Sequence, residues 1–211
     1  MRARAAAAAL AAGLLLAGCG VGSGGSGSGS ASPAATTVAE GSLRGGAVNP
    51  PLPAPELGLR DVDGKLVRIA DLRGRVALVT FVYTHCPDVC PLIADNLRRV
   101  KVGLGPAGKR LALIAVSVDP KGDTPASIRS FLRAHRLTGR MQYLHGTRRQ
   151  LEAVWARWGI AARVPKSNPE LVEHTGVIWG IDTRGRRVVL YPAVGFKASD
   201  IDADMRTLLG A

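Results

Sequence analysis

The sequence predicts an α/β domain, a sheet flanked by helices on both faces, and three observations predict it. Two runs, Val76–Tyr83 and Leu111–Val118, are continuously apolar and β-branched, which suits strands buried on both faces. Stretches with apolar residues at helical spacing lie between and after them. A strand–turn–strand signal and a last amphipathic helix close the chain, the order expected when helices cover a sheet.

Composition narrows the field before any element is placed. A chain of 211 residues with 46% hydrophobic residues, 21% charged residues and 3 cysteines is an ordinary globular protein, not a disordered, collagen-like or disulfide-dense one. No apolar stretch of about eighteen residues follows the N-terminus, which excludes a multi-span membrane protein. A formal net charge of +12 would ordinarily raise nucleic acid as a partner. The charges are scattered through every segment and only six are lysine, so there is no binding stripe and no nucleic-acid partner is expected. A mild attraction to anionic lipid headgroups is the more economical consequence.

The N-terminus reads as an address. Arg2 and Arg4 form a short positive region and Ala5–Ala17 an apolar run too short to span a bilayer comfortably, so residues 1–18 are an export signal. Leu16-Ala17-Gly18-Cys19 resembles the lipobox of bacterial lipoproteins, which implies lipidation of Cys19 as the first mature residue. The expected location is the cell membrane, lipid-anchored, on the extracytoplasmic side. Residues 19–55 are rich in Gly, Ser, Pro and Ala without hydrophobic period and read as a flexible linker. About thirty residues of such chain reach on the order of 30 Å. The folded domain is expected over 56–211.

Within it, Leu57–Arg60 and Leu66–Ile69 flank Asp63-Gly64, an N-terminal β-hairpin signal. The strand at Val76–Tyr83 passes into a helix carrying Ile93, Leu97, Val100 and Leu104 on one face. The strand at Leu111–Val118 ends at Asp119-Pro120, and Thr124-Pro125 reads as an N-cap with Pro at the first helical position, ahead of Ile128, Phe131 and Leu132. A strand is expected just before His145. Thr147 with Gln150 forms a capping-box signature before Leu151, Val154, Trp155 and Trp158, and Gly159 stops that helix. Val177–Asp182 and Arg187–Tyr191 form a hairpin across Thr183-Arg184-Gly185, and Ser199–Leu209 is the last helix. This is the thioredoxin order of elements.

The chemistry sits where the first buried strand ends. Cys86 and Cys90 straddle a helix start, so an i, i+4 relation puts both sulfurs near its N-terminus. Unpaired N–H groups and the positive end of the helix dipole there favour thiolate. Two neighbouring thiolates can exchange with a disulfide or bind a soft metal ion. A plain bracing disulfide is the bland alternative, but so short a loop constrains the unfolded chain weakly.

Three separated motifs then carry a resemblance. The run Thr80–Pro91 containing the CxxxC, Ser117-Val118-Asp119-Pro120 followed by Asp123-Thr124-Pro125, and Glu173-His174-Thr175 before a strand look like the Sco/SenC family of thioredoxin-like copper proteins. The likeness covers about Leu52 to Leu209. It implies a copper site, Cu(I) or Cu(II), made by Cys86, Cys90 and His174, and delivery of copper to the binuclear centre of cytochrome c oxidase. In a thioredoxin-like fold the loop before the late hairpin lies beside the cysteine turn, and His174 falls in that loop. Zinc could use the same side chains, but a closed structural zinc site takes four ligands and no fourth is visible.

The remaining candidates are weaker. His85 reads as an exposed histidine or one that supports the site without being a ligand, His135 and His145 read as surface residues, and Asp88 as a cap or charge complement at the helix N-terminus. Asp119 could tune the site, although a turn-forming Asp before Pro explains it. Glu173 stands where the family more often has Asp, so its reach toward His174 is longer. Trp155, Trp158 and Trp179 read as packing. The expected function is an extracytoplasmic copper metallochaperone, with cytochrome c oxidase subunit II or another copper-accepting protein and a thiol reductant as partners. The alternative is a thiol-disulfide oxidoreductase in which Cys86 and Cys90 reduce the cysteines of a copper acceptor.

Overall fold

A computed structural model describes residues 43–168 and 171–211. The export signal and Cys19 lie outside the described residues. The described chain runs β1 (Gly46–Pro53), β2 (Leu59–Asp61), β3 (Leu66–Val67), β4 (Val76–Val82), α1 (Val89–Gly103), β5 (Leu111–Ser117), α2 (Pro125–Ala134), β6 (Met141–His145), α3 (Arg148–Trp158), β7 (Ala162–Arg163), β8 (Glu173–His174), β9 (Val177–Ile181), β10 (Arg186–Pro192) and α4 (Ala198–Leu209). Eight strands form one sheet in the order β1-β10-β9-β4-β5-β6-β2-β3, and β7 pairs with β8 in a separate ribbon.

Every residue of β4 and β5 is buried, as their unbroken apolar character requires. β4, β5 and β6 are parallel, and the strands flanking them pair antiparallel. The crossovers β4–α1–β5 and β5–α2–β6 step the same way across the sheet, so their right-handedness puts α1 and α2 on one face. His135 at the end of α2 reaches Asp95 of α1 at 3.2 Å, and α4 packs beside α1. α3 covers the other face, where Trp158 meets Phe81 with ring centroids 5.8 Å apart and the Trp155 indole donates to the Ser117 carbonyl at 2.9 Å. The result is a thioredoxin-like fold.

Local signals set the element boundaries. Thr124 Oγ1 accepts from the Ser127 amide at 3.1 Å, Thr147 and Gln150 form the reciprocal capping box, and Gly159 ends α3 at φ 71°. The hairpin of β2 and β3 turns across Asp63-Gly64, with Gly64 at φ 80°.

The linker was expected to reach residue 55, but Gly46–Pro53 forms β1, antiparallel to β10 at the sheet edge. Three prolines make the segment look unstructured, yet an edge strand leaves one row of amides unpaired, and the register shifts between Ala47 and Leu52. Asp204 of α4 secures this edge from below, its buried carboxylate accepting the amides of Arg44 and Gly45 at 2.7 and 2.9 Å and the Tyr191 hydroxyl at 2.6 Å.

Candidate functional site

Cys86 follows β4 in the turn before α1, and Cys90 lies in the first turn of the helix. Cys86 is half-buried and Cys90 buried, both as free thiols. Asp88 occupies the N-cap position but makes no capping bond with its side chain. The Cys86 sulfur takes that role, accepting the Cys90 amide at 3.4 Å. The predicted sulfur pair at a helix start is therefore present, whereas the expected Asp88 cap is not.

The two sulfurs are not equivalent. The Cys90 thiol donates to Cys86, and with the Asp88 and Cys90 main chain and the Tyr83 hydroxyl it lowers Cys86 to about 5 against burial. Cys90 moves the opposite way, because its proton is held by Cys86 and burial disfavours its charge. Near neutral pH the pair is one thiolate and one thiol. Tyr83 is pushed up to about 12, chiefly by burial, so it stays protonated and donates to the thiolate.

His174 is not in an irregular loop but on β8, opposite Ala162 of β7. Its Nδ1 faces the Thr175 carbonyl at 3.1 Å. A carbonyl only accepts, so Nδ1 carries the proton and Nε2 keeps its lone pair. Burial lowers the His174 pKa, which keeps the imidazole neutral. The ring stands edge-on to Tyr83 with centroids 6.0 Å apart, and it lies close enough to Cys86 for the charge of the thiolate to act on it. Among the described residues no three His, Cys, Asp or Glu side chains already converge as a metal cluster. The fold brings the two sulfurs together and puts the histidine beside them.

Glu173 forms an ion pair with Arg163 across the ribbon and leaves the orientation of His174 to Thr175. Asp119 makes a turn, its Oδ1 accepting the amides of Lys121 and Gly122 at 3.1 and 2.9 Å. His85 is exposed, with Nδ1 3.1 Å from Thr84 Oγ1. His135 is not a plain surface residue, since its ring packs at a tilt against Phe131 with centroids 4.5 Å apart and reaches Asp95. His145 ends β6, half-buried, opposite Arg60. Trp179 packs under the Arg187 guanidinium at 4.8 Å.

Besides Thr175, two residues within these motifs act at the site without any role being legible in the sequence. One is Tyr83. The other is Asp123, a buried carboxylate that accepts the Thr84 amide at 2.8 Å, the Ser117 hydroxyl at 2.6 Å and the Tyr143 hydroxyl at 2.8 Å. It ties the chain entering the cysteine turn to the end of β5 and the middle of β6. The signal available in sequence was an acidic residue just after a buried strand; its three donors come from separate segments.

A thioredoxin-like domain with a thiolate–thiol pair at a helix start and a neutral imidazole beside it defines a class of thiol proteins able to exchange disulfides or hold a soft metal ion. The sequence profile of the SCO1/SenC family matches residues 53–210, and the chain belongs to that family. It is 25% identical over 134 residues to the SCO2-like protein of Rickettsia felis, a match covering 61% of this chain and 63% of that one. It is 35% identical over 97 residues to a putative copper-binding protein of Stutzerimonas stutzeri, covering 43% and 47%. The chain thus spans less than two thirds of either relative. Among solved structures, copper-bound ScoI of Bradyrhizobium japonicum is 28% identical with a TM-score of 0.65, covering 74% of this chain and 99% of that one. Apo Sco1 of Thermus thermophilus is 28% identical with a TM-score of 0.68, covering 79% and 96%.

Proposed function

We propose that this chain is a membrane-anchored, extracytoplasmic copper metallochaperone that hands copper to the binuclear centre of cytochrome c oxidase or to another copper acceptor. The observation that carries the reading is the Cys86–Cys90 pair beside a histidine whose Nε2 is free. Sulfur donors suit Cu(I), and an added imidazole extends the set to Cu(II). The donor chemistry fits copper as cargo: Cys86 is already ionised, His174 is already neutral with its tautomer set by Thr175, and only the Cys90 proton has to leave. The copper-bound relative from Bradyrhizobium japonicum supports this choice of metal. Lipidation at Cys19 would hold the domain at the membrane, and no helix among the described residues is long and apolar enough to cross one.

A second reading draws on the asymmetry of the sulfurs. A half-exposed thiolate next to a buried thiol is the arrangement used to reduce a partner's disulfide. Cys86 would attack one sulfur of the partner disulfide and release the other as thiolate. Cys90, passing its proton to that leaving thiolate, would then displace the first partner sulfur. The partner is left with one thiol and one thiolate, the latter taking its proton from water, while Cys86 and Cys90 become a disulfide that an external dithiol reduces again.

His174 separates the two readings, because disulfide exchange needs no imidazole. For the full chain, tight one-to-one copper binding is expected only after reduction. His174→Ala is expected to keep exchange with a model disulfide, lose most Cu(II) affinity and fail to restore oxidase assembly at low copper. Full rescue by that variant would move the assignment to the oxidoreductase. Copper binding by the oxidised chain as tight as by the reduced one would remove both sulfurs from the site.

A further inference from the structure

The sheet end opposite the cysteine turn holds a cavity that copper chemistry does not use. It lies between the β2–β3 hairpin, the later turns of α1 and α2, and the starts of β5 and β6, with a volume of about 390 Å³. Small-ligand pockets span roughly 300–1,000 Å³. Its apolar side is formed by Leu113, Leu132 and Met141. Six cationic side chains line the rest: Lys65, Arg75, Lys101, Arg129, Arg133 and Arg140.

The charge is not balanced from within. Two carboxylates share the cavity, but Asp61 is occupied by the amides of Asp63 and Lys65 at 3.1 and 2.9 Å and by Gln142 at 3.3 Å. Asp63 faces Arg129 at 3.7 Å. Among the described residues, no carboxylate lies within ion-pair distance of Lys65, Arg75, Lys101, Arg133 or Arg140. The Lys101 ammonium is held instead by the carbonyls of Gly108 and Leu111. Burial holds the Lys101 pKa below its ordinary value, and repulsion from Arg75 and Arg140 lowers it further, so these cations are close enough to feel one another. Convergent cations over an apolar surface match an anion with several acceptor oxygens that also bears an organic group.

We propose that this cavity binds a phosphate ester, with Arg75, Arg133 and Arg140 taking the phosphoryl oxygens and the apolar side taking the organic group. The same chemistry is offered by a soluble organic phosphate and by a phospholipid headgroup. The proposal is independent of the copper reading and is tested on the copper-free chain.

In one arm, the full chain in neutral detergent micelles is titrated with glycerol 3-phosphate by calorimetry. In the other, it is reconstituted into phosphatidylcholine vesicles with or without phosphatidylglycerol, and amide exchange of residues 138–141 is followed. Saturable one-to-one binding, weakened at least tenfold in Arg75→Gln/Arg133→Gln and less than twofold in the equally charge-reduced control Arg157→Gln/Arg184→Gln, supports the site with a soluble ligand. Protection seen only with phosphatidylglycerol, and lost in the cavity pair but not the control, supports it with a lipid headgroup. If the cavity pair unfolds, Arg133→Gln alone, at an exposed helix position, is to weaken binding at least threefold. Absence of both saturable binding and protection, or equal losses in cavity and control variants, overturns the proposal.

Discussion

The Cys90 proton decides which sulfur is reactive. Its donation to Cys86 is the largest cause of the lowered Cys86 pKa, so Cys90→Ala is expected to raise the pH midpoint of Cys86 alkylation by at least one unit from about 5. Mass-resolved iodoacetamide kinetics on the reduced protein check this; an unmoved midpoint would mean that the helix start alone holds the thiolate. The linkage to stability has a definite sign. A thiol whose folded-state pKa is depressed adds stability that is present above its unfolded value and is lost as the pH falls toward the folded one. The gap in urea midpoint between wild type and Cys86→Ala should therefore widen from pH 5 to pH 8. The raised Cys90 acts in the opposite sense, and its cost enters only as the pH passes its ordinary value of 9.0. Asp123 governs the same turn through geometry. Asp123→Ala leaves the Thr84 amide and the Ser117 and Tyr143 hydroxyls without their acceptor, a loss of about 3 kcal/mol or more by denaturant titration. Asp123→Asn, which keeps an acceptor oxygen, should lose less, and a loss under about 1 kcal/mol in Asp123→Ala would mean that water replaces the carboxylate.

The ribbon of β7 and β8 and the edge strand β1 are the elements whose place depends most on partners distant in sequence. The ribbon carries His174 and is tied by the Thr175 amide to the Ala161 carbonyl at 2.9 Å and by the Ala161 amide to Thr175 Oγ1 at 3.1 Å. The exposed Arg163–Glu173 pair adds little, as solvated ion pairs do. β1 closes the long edge of β10, and an uncovered edge invites pairing with other chains. Asp204→Ala removes the acceptor for Arg44, Gly45 and Tyr191 and should cost about 2–4 kcal/mol. Amide protection in β1 should fall before that of β4 or β5. Unchanged β1 protection would show that its ladder with β10 holds the edge without the carboxylate.

On the scale of the molecule, the sheet separates two kinds of surface. The sulfur pair and His174 lie at the end where β4 ends, and the cationic cavity lies where β5 and β6 begin. A lipidated Cys19 would place both beside a membrane whose anionic headgroups attract the mature chain, which keeps a formal charge of +10 once Arg2 and Arg4 are removed. Wild-type protein is expected in the membrane fraction, and Cys19→Ala uncleaved or soluble. Recovery of an unlipidated mature chain that begins at another residue would remove the anchor, without touching the assignment of the cysteines.

Much of this molecule is governed by rules acting over a few residues, and those parts were legible in advance. Apolar runs define β4 and β5, Thr124 and Thr147 start α2 and α3, Gly159 ends α3, and the CxxxC at a strand-to-helix junction marks the sulfur pair. Other features are set by which distant segments meet. Proline-rich Gly46–Pro53 becomes a strand only because β10 offers it an edge. Asp123 and Asp204 become structural acceptors only because donors from several elements converge on them in burial. The assignment of the thiolate to Cys86 depends on the depth of Cys90 and the reach of Tyr83. Scattered arginines form a charged cavity only once the hairpin, α1 and α2 close around it. Spacing and propensity are properties of the chain, whereas burial and charge proximity exist only when the chain is folded.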